Sequence, residues 1–202
     1  DLWFHSGSAL ESAAKEHMAA KARENEAEGL SSAKKQAPPL TLAVIVALEV
    51  AVISTGLPSF QRGYAWYRLL RHWASLRFDD TAGLDPDSLE LRARGVFGVL
   101  RRTKTSGSDK KVTLLPIFVA YDCWVQHDSW LRVGLAIWQK EPLNFRRDFF
   151  LPLPTPDFEG TCKRRALYSD AVGFSRSLFG ILKDSESDGQ LLHSEAVRFW
   201  IE

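Results

Sequence analysis

Residues 88–119, SLELRARGVFGVLRRTKTSGSDKKVTLLPIFV, decide the fold. Residues 88–91, 96–100 and 111–119 are short runs rich in Val, Leu, Ile and Phe, the composition of strands half-buried on a sheet. Between the last two runs lies Thr105-Ser106-Gly107-Ser108-Asp109. Its Gly accepts backbone angles closed to other residues, and its Ser and Asp side chains bond to nearby backbone. The pattern predicts a small antiparallel three-stranded sheet whose second hairpin ends in a basic tip.

Outward from the sheet, most of the chain reads as helix. Residues 40–57 form the most apolar run, with Glu49 at its centre. A carboxylate in mid-bilayer is costly and the run is short, so a buried core helix is expected here and no membrane span. Residues 64–78 place Tyr64, Trp66, Tyr67, Leu69, Leu70, Trp73 and Leu76 at helical spacing, ending at Asp79-Asp80, which would set Arg77 on a buried helix end. Residues 127–139 carry Trp130, Leu131, Leu135 and Trp138 on one helical face. Residues 149–156 read as a proline-punctuated loop, residues 171–182 as an amphipathic helix, and residues 191–201 begin another. The expected class is α+β and mainly α-helical, with the small sheet inserted among helices.

Two regions are expected. Residues 1–39 read as a helix, opened by the capping pair Ser8 and Glu11 and stopped at Gly29, followed by a Pro-, Ser- and Lys-containing linker. Residues 40–202 form the globular domain. The 202 residues carry 45% hydrophobic side chains, seven Trp and twelve Phe, enough for one sizeable core and unlike a disordered chain. The chain starts at Asp1 without Met and ends inside a helix-like run, so it is expected to be an excerpt of something longer.

The net charge of +1 conceals opposed regions. Residues 91–111 hold seven Lys or Arg (Arg92, Arg94, Arg101, Arg102, Lys104, Lys110, Lys111) against Asp109 alone, while residues 1–29 lean acidic. A local basic excess on a nearly neutral protein points to a local polyanion contact. Cys123 and Cys162 lack the spacing of a zinc site, and free thiols in a reducing compartment are expected. His5, His17, His72 and His127 have no partners at ligand spacing. Trp66, Trp73, Trp124, Trp130, Trp138 and Trp200 are expected in the core.

Leu76-Arg77-Phe78-Asp79-Asp80, with Lys104 following 27 positions after Arg77 in Arg102-Thr103-Lys104-Thr105, resembles the catalytic domain of the tyrosine recombinases, the phage-integrase and Cre-like superfamily, in its eukaryotic transposon-borne branches. Arg68 and Arg71 precede Lys104 by 36 and 33 positions, longer than this pairing uses. The resemblance spans residues 40–202 and implies an integrase-like core that cuts and rejoins DNA through a 3′-phosphotyrosyl link. It implies that Arg77 clamps the scissile phosphate and that Lys104 protonates the departing oxygen, with Arg101, Arg102, Thr103, Thr105, Lys110 and Lys111 contacting DNA. Planar guanidinium suits a phosphate gaining charge, and a lysine on a hairpin can reach a leaving group.

The same resemblance implies double-stranded DNA as partner, a homo-oligomer on that DNA, no metal, no small-molecule cofactor, and a nuclear or otherwise intracellular location. The family also uses a His-x-x-Arg motif and a later tyrosine nucleophile. His193-Ser194-Glu195-Ala196 lacks the arginine, and Tyr121 and Tyr168 follow no such motif, so both tyrosines are read as packed aromatics and residues 1–202 alone as inactive in cleavage. A DNA-binding remnant of a mobile element without catalysis, and a helical scaffold or membrane-associated protein, are the alternative readings.

Overall fold

The computed structural model of the protein describes residues 40–101 and 114–184. They belong to the compact unit Leu40–Glu202. Its elements run α1 (Leu42–Ile53), α2 (Ser59–Trp73), the single turn α3 (Phe78–Thr81), β1 (Glu90–Arg92), β2 (Gly95–Leu100), β3 (Leu115–Ala120), α4 (Trp130–Trp138), β4 (Pro152–Pro154), β5 (Thr161–Arg165) and α5 (Tyr168–Asp184). The class is α+β, with a three-stranded antiparallel sheet in the order β1-β2-β3.

The apolar run forms α1 because it is hydrophobic on every side and therefore needs a partner on every side. It packs against α2 and α4. At 12 residues it spans about 18 Å, well short of a hydrocarbon core of about 30 Å. Among the described residues no helix is long and apolar enough to cross a membrane. The Arg62 Nε–H donates to the carbonyl of Val52 (3.0 Å), a cation at the negative end of α1 that ties it to α2.

Glu49 is fully buried, and its carboxylate takes three backbone N–H bonds, from Val125 (2.8 Å), Gln126 (2.8 Å) and His127 (2.9 Å). The charge that argued against a membrane span thus fixes the loop leading into α4. A buried carboxylate is tolerable where amides converge on it.

Helix α2 lies at the centre and packs against α1, α4 and α5. Trp66 sits over Gly134 of α4, where a Cβ would overlap the indole, and the Trp66 Nε1–H donates to the Leu131 carbonyl (3.1 Å). Trp138 returns the bond, donating to the Gly63 carbonyl (2.9 Å). Tyr64 Oη donates to the Ala171 carbonyl (2.5 Å) and meets Ser175 Oγ (2.8 Å), joining α2 to α5.

Several expectations are corrected. The helix predicted over residues 64–78 ends at Trp73, because Ser75 adopts φ 53° and the Leu76 N–H turns back to the Arg71 carbonyl (2.8 Å). Arg77 is consequently the residue that opens α3, and it is exposed rather than on a buried helix end. The first strand, expected over 88–91, begins only at Glu90, because Ser88 closes a 3-10 turn over residues 86–88. The loop predicted over 149–156 contains β4, paired antiparallel with β5. Trp124 is 44% exposed and Trp73 half-buried, whereas Trp66, Trp130 and Trp138 are core residues as expected. The readings over 1–39 and 191–201, including Trp200, lie outside the described residues.

Candidate nucleic-acid interface

Arg77 occupies the connection between the central helix and the sheet. Its own N–H donates to Asp80 Oδ2 (3.0 Å), which steadies the first turn of α3. At the other end of that turn, the Thr81 hydroxyl bonds the Phe78 carbonyl (2.6 Å) and Tyr67 Oη (2.8 Å) on α2. Burial raises the Tyr67 pKa, with the Arg71 charge opposing, so this hydroxyl keeps its proton and its bond. The turn is held firmly while the Arg77 guanidinium, among the described residues, has neither an ion-pair nor a hydrogen-bond partner.

The two competing arginines are occupied differently. Arg68 donates to Ser175 Oγ (2.5 Å) and lies over the Phe179 ring, bracing α2 against α5. Arg71 lies over Tyr67 (5.4 Å) and Phe78 (5.7 Å), with its Nε buried and unbonded.

From α3 the chain runs along β2 like a partial fourth strand. The Asp85 N–H donates to the Val99 carbonyl (3.0 Å), Ser88 Oγ accepts from the Val99 N–H (2.9 Å), and the Arg101 N–H donates to the Gly83 carbonyl (2.7 Å). Arg101 ends β2 with its guanidinium on Asp85 (2.5 and 2.9 Å), yet its side chain remains 70% exposed. The segment carrying Arg77 and the strand leading to residues 102–113 are therefore laced together. Arg102, Thr103, Lys104, Thr105, Lys110 and Lys111 lie outside the described residues.

Both tyrosines differ from packed aromatics in one respect. Tyr121 is half-buried beneath the Arg132 guanidinium (4.0 Å) and donates to the Arg92 carbonyl (3.0 Å). Tyr168 opens α5, is 65% exposed, and meets the Phe78 ring edge-on at 5.4 Å, beside the Arg77 turn.

The sequence reading missed β5. Its Lys163, Arg164 and Arg165 are all exposed. Arg165 lines a small surface crevice, with room for about one water (about 10 Å³), together with Tyr67 of α2 and Phe78, Thr81 and Ala82 of the turn that Arg77 opens. The signal was present as a run of three cations, but its place beside the Phe78 turn depends on the β4–β5 pairing, which the prolines concealed. Cys123 and Cys162 are free thiols, and among the described residues no cluster of His, Cys, Asp or Glu could hold a metal ion. No family model, curated protein or solved structure matches the chain.

Proposed function

We propose that this chain supplies the phosphate-gripping part of a tyrosine-recombinase-like protein that cuts and rejoins double-stranded DNA. The observation that carries the reading is the exposed Arg77 guanidinium, unpartnered among the described residues, on a turn that is hydrogen-bonded, through residues 83–88, to the strand entering the basic segment. In this reading Arg77 binds the non-bridging oxygens of the scissile phosphate and offsets the charge that builds there during in-line attack. A tyrosine hydroxyl, giving up its proton to water, attacks phosphorus, a 3′-phosphotyrosyl bond forms, and the bond to the 5′-oxygen breaks. Lys104 gives that oxygen its proton.

The nucleophile is assigned to neither Tyr121 nor Tyr168, since neither follows a His-x-x-Arg motif. Within residues 1–202 the reading therefore reduces to DNA binding, which is also what a non-catalytic remnant of a mobile element would do. A polypeptide continuing past Glu202, offered DNA with a nick-trapping suicide site, is expected to form a covalent adduct that Arg77→Ala abolishes and Lys104→Ala strongly weakens. DNA binding with no adduct favours the remnant, and absence of DNA binding sinks both.

A further inference from the structure

Resting on that reading, we infer that β5 is a second phosphate-contacting strip, taking the sugar–phosphate backbone of duplex DNA beside the Arg77 turn. Three consecutive cations, Lys163, Arg164 and Arg165, are exposed on a strand that, among the described residues, pairs on one side only, with β4. Among the described residues none of the three side chains has an ion-pair or hydrogen-bond partner. Adjacent like charges repel, and a polyanion relieves that repulsion while releasing its own counterions.

Position and local conformation both favour this role. The strand departs from regular alternation, because Lys163 has φ 50° and the β4 register shifts between Pro152 and Pro154. Of the acids that flank the strip in sequence, Glu159 is exposed, whereas Asp157 and Asp170 are engaged locally. Asp157 accepts from the Thr155 hydroxyl (2.5 Å) and the Glu159 N–H (3.1 Å), and Asp170 caps α5 by accepting from the Leu167 N–H (2.8 Å). Arg165 shares a water-sized crevice with Phe78, the residue after Arg77, so the end of the strip adjoins the turn. Arg165 thus lies beside the turn that carries Arg77, although 88 positions separate the two in sequence.

The competing explanation is that cations on an edge strand only prevent edge-to-edge association. Duplex DNA binding by the 202-residue chain, followed over a salt series, separates the two. The triple variant Lys163→Gln, Arg164→Gln, Arg165→Gln is expected to lower the salt slope by about two to three and affinity roughly ten-fold or more near 0.1 M salt. Arg176→Gln, an exposed arginine on α5, should leave both unchanged. A triple variant that binds DNA like the parent overturns the inference, and if it also self-associates then edge protection explains the strip. In that event a continued dependence on Arg77 leaves the broader reading standing, whereas no duplex binding by the parent removes both.

Discussion

Glu49 ties the middle of α1 to the loop that leads into α4. Its two carboxylate oxygens answer three loop amides, and glutamine would replace one acceptor oxygen with an NH₂ facing N–H donors. Glu49→Gln should therefore cost about 2–4 kcal/mol in urea unfolding, and a loss below about 1 kcal/mol would contradict the buried nest. His72 makes a pH-dependent contribution. Burial, then the Arg68 charge, hold its pKa below the ordinary 6.5. The unfolded chain thus binds more protons than the folded one as pH drops through about 6.5, and folded-state stability falls there. Thermal unfolding of His72→Gln should show a flatter stability profile between about pH 7 and about pH 5. Asp157 acts in a separate, more acidic window. Bonds from the Thr155 hydroxyl and Glu159 amide hold it below 3.8, so its contribution is present above that value and lost beneath it.

Helices declare themselves through spacing, and contact between helices does not. Trp130, Leu131, Leu135 and Trp138 repeat with the helical period, and all four are buried. What the period cannot say is that Gly134, on the same helix, admits the Trp66 ring. Gly134→Ala should cost about 1–3 kcal/mol through overpacking, while Gly173→Ala on α5, with open space around its Cα, should be neutral or stabilising by up to about 1 kcal/mol. Equal effects on chemical denaturation would refute the packing. Strands followed the same logic. The runs at 96–100 and 111–119 are rich enough in β-branched and apolar residues to be read, whereas β4 is masked by two prolines and β5, Thr-Cys-Lys-Arg-Arg, has no apolar face to betray it. The end of α2 was hidden for another reason. Ser75 takes the left-handed conformation that glycine usually supplies, so no sequence signal marks the break that frees Arg77.

At the scale of the whole molecule, charge is distributed so that a net value of +1 hides a usable field. Arg77, Arg101 and the β5 cations are exposed, and Arg68 and Arg147 serve the interior. Arg147 donates to the carbonyls of Leu143 (2.5 Å), Phe145 (3.1 Å) and Phe150 (3.1 Å), and burial, countered by Asp87, pulls its pKa to about 10, leaving it cationic at neutral pH. Composition showed the basic excess over 91–111, but which arginines face outward depends on long-range pairing that only the folded chain reveals. The most direct test of the phosphate-gripping assignment is duplex DNA affinity of the 202-residue chain, measured over a salt series for the parent and Arg77→Ala. Arg77→Ala is expected to weaken binding about ten-fold and to reduce the salt slope by about one. Unchanged affinity and slope in Arg77→Ala, or no salt-dependent binding by the parent, would contradict the assignment.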